Sequence, residues 1–300
     1  MGHTVFEGSG TAIITPMDAC GGVDYDALQR LLAFQLESGT DAIVVNGTTG
    51  ESATLEDKEK LEVMEFVIGR VAGRVPVIAG TGSNSTAHAV RLSKEAKRLG
   101  ADALLQVTPY YNKTSQEGLV RHFTEVGDQA ELPILLYDVP SRTGVTIQPE
   151  TYKRLSGHPN IVGVKEAGGN ISLIARTAAA CGPDFAIYSG NDDQAIPIMA
   201  LGGKGVVSVA ANIIPRQVHE MCRMYLDGRT REAGQMQLRL LDLMDAMFWD
   251  VNPIPVKAAL AMMGFCGENY RLPLVPMDEE RKEQLRKLME SHRLPVKGDA

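Results

Sequence analysis

Eight short apolar runs recur along the chain, and each is followed within a few residues by a turn-forming residue such as glycine, proline or asparagine. The runs lack the alternation of polar and apolar residues that marks a strand with one face in water, so we expect strands that are buried on both faces. Segments with apolar residues at helical spacing separate them. The runs lie at 10–16, 41–47, 76–80, 101–109, 133–140, 161–167, 185–190 and 205–212.

The helical segments carry start and stop signals. Asp24 precedes a segment with leucines at helical spacing that stops at Gly39, and a second segment runs from Ser85 towards the next strand. Thr54 with Asp57 predicts a capping box in front of a third helix.

Buried strands that alternate with helices predict an α/β fold with a parallel sheet covered on both faces. Eight such units favour a closed (β/α)8 TIM barrel. An open doubly wound sheet uses the same alternation and is the alternative, although no Gly-x-Gly-x-x-Gly follows the first strand. We expect a single domain, 1–300, with the barrel in 1–224 and a C-terminal helical extension in 225–300.

Composition argues for a globular protein that handles small molecules. With 300 residues, of which 44% are hydrophobic and 22% charged, the chain can bury a large core. The formal net charge of -7 gives no general attraction to nucleic acid or to anionic membranes. The cysteines are scattered without a CxxC pair, and no export signal is apparent, so we expect reduced thiols and a cytoplasmic protein with no nucleic-acid or membrane partner.

Lys165 ends the apolar run that begins at Ile161. In a TIM barrel the carboxyl ends of the strands form the catalytic face. Partial desolvation there disfavours the charged ammonium form of a lysine, and the free amine is a nucleophile that forms Schiff bases with ketones. The alternative is a lysine that reaches out to solvent from a strand end.

Other polar residues after the predicted strands suit the same chemistry. Tyr137 has a hydroxyl group that can give and take protons, and Thr48 with Thr49 lies in a glycine-bounded turn that can bind a small carboxylate. Arg142 can pair with a second carboxylate. Each has an ordinary alternative, respectively a core aromatic, a tight turn and a solvated loop arginine. No P-loop, calcium loop or metal-binding histidine pair is present, so we expect no cofactor and no metal.

Six motifs spread over essentially the whole chain resemble the dihydrodipicolinate synthase family, which belongs to the pyruvate-dependent class I aldolases. GTTGE, the tyrosine before VP and the strand-end lysine are shared across that superfamily, whereas PSRTG and NPIPVKAAL are narrower and indicate the synthases. The motifs are GTTGES at 47–52, PYYNKTSQEGL at 109–119, YDVPSRTG at 137–144, VGVKEAGGN at 162–170, YSGNDD at 188–193 and NPIPVKAAL at 252–260.

The resemblance implies a barrel with carboxy-terminal helices, usually a homotetramer, that condenses pyruvate with L-aspartate 4-semialdehyde on the way to diaminopimelate and lysine. It assigns the pyruvyl Schiff base to Lys165. The other roles that it implies are a proton relay of Tyr137, Thr48 and Tyr111 from an adjacent subunit, pyruvate binding by Thr49, semialdehyde binding by Arg142, and backbone contacts from Gly190 and Val207.

Two residues depart from the family pattern. Asp138 stands where asparagine is common, and Asn191 stands where aspartate is common. Neither belongs to the implied relay, so they bear on substrate detail more than on reaction type. The rival functions are a related pyruvate-dependent aldolase, such as N-acetylneuraminate lyase or a keto-deoxy sugar acid aldolase, and an inactive barrel that senses a ligand. Arg142 within PSRTG argues against the first, and the intact set of site residues argues against the second.

In family members that lysine inhibits, the effector binds at a subunit interface. The position that matches His88 is usually acidic there, and Lys60 here adds a charge of the same sign as the effector. Asp57 lies on a different predicted helix and compensates only in part. The resemblance therefore implies weak inhibition by lysine. The other matching residues are Ser52, Ala53, Asn84 and Tyr110.

Overall fold

The computed structural model describes residues 4–297, and its centre is a closed barrel of eight parallel strands in sequential order. β1 pairs with β8, so the sheet has no free edge, which confirms the TIM barrel over the open sheet. The strands are β1 (Gly8–Ala12), β2 (Ala42–Val45), β3 (Val77–Gly80), β4 (Ala103–Val107), β5 (Ile134–Asp138), β6 (Ile161–Glu166), β7 (Ala186–Ser189) and β8 (Gly205–Ser208).

The helices surround this barrel and then continue beyond it as the predicted C-terminal extension. They are α1 (Tyr25–Glu37), α2 (Asp57–Val71), α3 (Thr86–Leu99), α4 (Gln116–Ala130), α5 (Pro140–Thr143), α6 (Pro149–Leu155), α7 (Ile171–Cys181), α8 (Ala195–Ala200), α9 (Pro215–Leu226), α10 (Thr230–Ala246), α11 (Ile254–Met262) and α12 (Glu279–Ser291). The division at residues 224 and 225 stays a prediction, and the outermost residues, 1–3 and 298–300, lie outside the described residues. No helix within 4–297 has the length and apolar composition needed to cross a membrane.

Two of the three predicted helix starts are confirmed. The Asp24 carboxylate accepts the N–H of Ala27 at the start of α1, and Ser85 occupies the N-cap of α3. The predicted capping box of Thr54 is wrong, because α2 begins after Glu56. The capping box is formed instead by Glu56 and Glu59, in which the backbone N–H of Glu56 donates to Oε2 of Glu59 at 2.9 Å. Thr54 donates its hydroxyl hydrogen to a carbonyl oxygen in the preceding turn and is not free to cap the helix.

Alternation along the strands divides the core into two parts. Side chains that point inward, such as Val44, Leu105 and Leu135, fill the barrel, and those that point outward pack against the helices. Near the start of β1, the ring of Phe6 stacks on Tyr188 with centroids 4.4 Å apart. The inward set also includes the predicted site residues of β5 and β8, so the site is built on the filled interior of the barrel.

The seam between β1 and β8 depends on a glycine. Gly205 has a φ of +147°, and a Cβ atom there would lie 1.9 Å from the carbonyl oxygen of Gly8. Only a residue without a side chain lets the two backbones approach this closely.

The C-terminal extension is joined to the catalytic end of the barrel by a buried ion pair. Lys257 on α11 places its Nζ 2.5 Å from Oε1 of Glu51, which lies in the turn after β2. Neither side chain has any exposed surface. Lys257 also lies 5.0 Å from the ring centroid of Tyr270, so the ammonium group is enclosed by a carboxylate and an aromatic face.

Removing one partner of this pair should destabilise the protein strongly. In Lys257→Met the Glu51 charge stays buried without a counterion, and we expect a loss of about 3–5 kcal/mol in the free energy of unfolding, measured by denaturant titration. Adding Glu51→Gln to that variant should restore part of the loss. The control is Lys58→Met, because the pair of Lys58 with Glu62 is 85% and 49% exposed and should contribute less than about 1 kcal/mol. Equal losses in the Lys257 and Lys58 variants would contradict the prediction.

Candidate active site

Lys165 and Tyr137 lie side by side inside the carboxyl end of the barrel. They are register partners on the neighbouring strands β6 and β5. The Nζ atom of Lys165 lies 4.5 Å from the centroid of the Tyr137 ring. Lys165 is 5% exposed and Tyr137 is 6% exposed, so the structure brings the predicted nucleophile and the predicted proton-transfer group together in a nearly dry site.

Space for the lysine side chain comes from a glycine on the next strand connection. A Cβ atom at Gly190 would lie 3.1 Å from Cε of Lys165 and 2.7 Å from Cβ of Ala167. Any side chain at position 190 would therefore push against the nucleophile. Val207 on β8 is fully buried in the same inward-facing cluster as Tyr137, so both predicted backbone-contact residues line the barrel interior near the lysine.

A carboxyl group that the sequence analysis gave no role lies near Lys165. Asp192 follows β7 and is buried at 2% exposure. It accepts hydrogen bonds from the Ser208 hydroxyl and from the N–H groups of Val209 and Ala210, the latter two at 3.0 Å. Burial raises the pKa of this carboxyl, while the hydrogen bonds and the charge of Lys165 act to lower it. Asp192 is thus a buried acidic group whose ionised form the nearby Lys165 charge favours.

The turn after β2 presents the two predicted threonines. Its backbone closes on itself, since Gly50 N–H donates to the carbonyl of Gly47 at 3.1 Å. Thr49 is buried, and its Oγ1 accepts a hydrogen bond from Nδ2 of Asn252 at 3.0 Å. Because the oxygen acts as the acceptor there, the hydroxyl hydrogen of Thr49 is free to donate to a carboxylate. Thr48 beside it is half-buried.

Asn252, Glu51 and Lys257 are the residues of this turn site that the sequence analysis missed. The motif NPIPVKAAL was recognised as a family marker, but no contact with the turn at 47–51 could be read from it. A usable signal was present, because Lys257 is a lone charge in the apolar segment that forms α11. Lysine is almost never fully buried unless it is paired.

Two predicted residues lie on the surface, away from the buried pair. The Tyr111 side chain is 95% exposed, and its backbone has a φ of 65°. Arg142 is exposed on the short helix α5. Among residues 4–297, no carboxylate forms an ion pair with Arg142, so its charge is available to a ligand.

The residues that match the family's effector site gather elsewhere, between α2, α3 and the loop after β4. His88 Nε2 lies 2.9 Å from Oδ1 of Asp57, and the other ring nitrogen lies 3.1 Å from the Ser83 hydroxyl. Asn84 donates to the carbonyl of Tyr110 at 3.2 Å. Ser52 is half-buried and Ala53 is exposed, and both lie in the turn that precedes α2, a few residues before Asp57.

Comparisons with known proteins agree with this geometry. A family model described as the Dihydrodipicolinate synthetase family matches residues 5–292. The 4-hydroxy-tetrahydrodipicolinate synthase of Caldicellulosiruptor saccharolyticus is 54% identical over 293 residues, which cover 98% of this chain and 99% of that protein.

Solved structures show the same likeness in three dimensions. The crystal structure of dihydrodipicolinate synthase from Aquifex aeolicus has a TM-score of 0.95 and 46% identity, covering 98% of this chain and all of that one. The structure of DHDPS from Cyanidioschyzon merolae with lysine bound has a TM-score of 0.94 and 43% identity, covering 97% of this chain and 100% of that one. Since the family model spans nearly the whole chain and the relatives are this similar over their full length, the chain belongs to the dihydrodipicolinate synthetase family.

Proposed function

We propose that this enzyme condenses pyruvate with L-aspartate 4-semialdehyde through a Schiff base on Lys165, giving 4-hydroxy-tetrahydrodipicolinate for diaminopimelate and lysine biosynthesis. The observation that carries the mechanism is the buried contact of Lys165 with the Tyr137 ring at the carboxyl end of the barrel. The full-length relatives named 4-hydroxy-tetrahydrodipicolinate synthase supply the identity of the substrates.

The first half of the reaction binds pyruvate covalently. The Lys165 amine attacks the C2 carbonyl carbon, and the carbonyl oxygen takes up a proton to form a carbinolamine. Loss of water then gives an iminium ion between C2 and the lysine nitrogen. Tyr137 is placed to carry protons in these steps, with Thr48 and Tyr111 as the rest of the relay. Thr49, held by Asn252, donates its hydroxyl hydrogen to the pyruvate carboxylate.

The second half forms the new carbon–carbon bond. The iminium ion draws electrons from C3, which loses a proton and becomes an enamine carbon. That carbon attacks the aldehyde of the semialdehyde, and the aldehyde oxygen takes up a proton. The amino group of the second substrate then attacks C2 and expels the Lys165 amine, which closes the ring. Arg142 binds the carboxylate of the semialdehyde. Gly190 and Val207 contact the intermediate through their backbone, and the missing side chain at Gly190 leaves space beside Lys165.

The functional form is a homotetramer in the cytoplasm, in which Tyr111 completes the relay of a neighbouring subunit. The near-complete exposure of this aromatic side chain supports the assignment, because a large aromatic residue on a single chain's surface is typical of an interface. The site built by one chain alone would then lack one of the three relay hydroxyls.

Borohydride reduction tests the Schiff base directly. Incubation with pyruvate and sodium borohydride should add one reduced pyruvyl group to Lys165, because hydride converts the imine into a stable secondary amine. Intact mass and peptide mapping locate the adduct. Lys165→Ala should show none. An unmodified wild-type protein, or an adduct that persists in Lys165→Ala, would contradict the mechanism.

Removing the Tyr137 hydroxyl should slow turnover without disturbing the fold. Tyr137→Phe keeps the ring that packs in the barrel, so the thermal midpoint should stay near that of the wild type while kcat falls about a hundred- to ten-thousandfold. Tyr225→Phe is the control, because Tyr225 is half-buried on α9 and packs against the core cluster outside the barrel interior. A kcat of Tyr137→Phe within a factor of a few of the control would remove Tyr137 from the relay.

Feedback inhibition by lysine should be weak, because Asp57, the acidic group that contacts His88, is already paired. Asp57 contacts the ring of His88, lies 2.8 Å from Arg91 Nη2 and lies 3.9 Å from Lys60 Nζ. Partial burial acts to raise the pKa of this carboxyl, but the hydrogen bonds from His88 and Arg91 outweigh it, so that the pKa is lowered. An incoming ammonium group would have to compete with these cations for Asp57. One missing charge-assisted contact costs roughly 1.5–3 kcal/mol, about a ten- to hundredfold loss in affinity.

A lysine titration of enzyme activity measures this. The wild type should keep most of its activity at sub-millimolar lysine, and His88→Glu should lower the inhibition constant. Ala87→Glu is the matched control, since it adds the same charge at an exposed neighbouring position of α3. Strong inhibition of the wild type, or an equal effect of both variants, would refute the role given to His88.

A further inference from the structure

A buried acidic pair lies directly behind Lys165 and Tyr137. Asp138 and Glu166 are register partners on β5 and β6, one position after the reacting residues on each strand. Because side chains alternate along a strand, they point outward, towards α6. There the fully buried Tyr152 donates its hydroxyl hydrogen to Oε2 of Glu166 at 3.0 Å. The acidic pair and one phenol therefore lie together on the outer face of the two strands that carry the chemistry.

Each carboxyl group also ties its strand to the loop that follows. Oδ2 of Asp138 accepts the N–H of Ile147 at 3.1 Å, which closes the segment 139–146 that carries Arg142. Oε1 of Glu166 accepts the N–H of Gly168 at 3.1 Å, which fixes the turn just after Lys165. Both contacts hold backbone segments of the proposed active site in place.

No positive charge balances this pair. Among residues 4–297, neither carboxyl group forms an ion pair, and the titratable groups packed around Asp138 are Glu166 of β6, Tyr152 of α6 and, beyond Tyr152, Cys181 of α7. Burial, followed by the nearby Glu166 charge, raises the pKa of Asp138 to about 8. Burial also raises the pKa of Glu166 to about 7 and those of Tyr152 and Cys181 above their usual values.

The second oxygen of Asp138, Oδ1, is buried and has no hydrogen-bond partner in the described part of the chain. A buried carboxylate oxygen without a donor is costly, whereas a protonated oxygen can itself donate. A proton on the Asp138 carboxyl lowers this cost, which agrees with the direction in which burial shifts its pKa. When it loses the proton, two neighbouring carboxylates in a dry site repel each other.

We propose that Asp138 is a positioning residue for the Schiff-base reaction, which acts from behind Tyr137 and Lys165 by holding the loop that carries Arg142 against β5. This inference rests on the proposed function. It predicts that ionisation of Asp138 sets its charge against that of Glu166 and displaces the carboxyl that holds the Arg142 loop, although the charged form is the stronger acceptor for Ile147. Semialdehyde binding should then weaken at alkaline pH while the attachment of pyruvate to Lys165 continues.

The test compares the wild type with Asp138→Asn and Asp138→Ala between pH 7 and pH 9. Asparagine keeps the shape and the acceptor for Ile147 but has no proton to lose. The wild-type KM for the semialdehyde should rise with pH relative to that of Asp138→Asn, reaching a ratio of about tenfold at pH 9. Asp138→Ala should raise this KM about ten- to a hundredfold already at pH 7. Ionisation of Tyr137, Lys165 or the substrate affects wild type and Asp138→Asn alike and cancels in the ratio.

Thermal unfolding gives a second readout that also covers a poorly folded alanine variant. A carboxyl whose folded pKa is raised from 3.8 to about 8 destabilises the folded state progressively as pH increases across that interval. The midpoint of Asp138→Asn should therefore exceed that of the wild type at pH 8, and the gap should shrink towards pH 4. Parallel pH dependence of midpoint and KM in wild type and Asp138→Asn would overturn the proposal. Failure of the borohydride trap in the wild type would instead overturn the proposed function, which makes the two outcomes distinguishable.

Discussion

The buried ion pair of Glu51 and Lys257 is the constraint on which the rest of the site depends. Taking two charges out of water costs several kcal/mol per ion, so such a pair persists only where its geometry is good and its other hydrogen-bonding positions are filled. Here the pair joins the turn after β2 to α11, and Asn252 in the same C-terminal segment reaches Thr49. The turn that carries the proposed pyruvate-binding threonine is thus shaped by residues outside the barrel strands.

In the neighbouring strands β5 and β6, consecutive side chains point to opposite faces of the sheet, so adjacent residues have different roles. Tyr137 and Lys165 point into the barrel, and Asp138 and Glu166 point towards the helices. The inward pair is placed for the chemistry, and the outward pair ties the strands to the loops that follow. A slip of one residue in register would exchange the two faces and bury the nucleophile among helices. The bonds on the outer face therefore protect the arrangement on the inner one.

Much of the fold was predictable because it depends on local pattern. Strands without polar alternation, helices with caps and eight repeats favour a closed barrel over an open sheet, and the structure confirms the closure. The strand-end position of Lys165 needs no tertiary knowledge. Contacts between distant segments were not predictable. Lys257 and Glu51 are 206 positions apart, and Asn252 and Thr49 are 203 apart, so no spacing rule connects them. The start of α2 was missed because Thr54 bonds to its own turn. The roles of Tyr111 and Arg142 stay predictions, since both side chains are exposed on a single chain.

The position of Lys257 near the end of the sequence has a consequence for biosynthesis. A ribosome delivers all eight strands before it delivers α11, so Glu51 lacks its counterion until the segment with Lys257 has been synthesised. The charge of Glu51 favours hydration during that interval, which holds the turn after β2 open to water. The turn can take its final shape only when the last segments have emerged. A chain that stops short of α11 would contain every strand of the barrel but would leave the Glu51 carboxylate without its counterion.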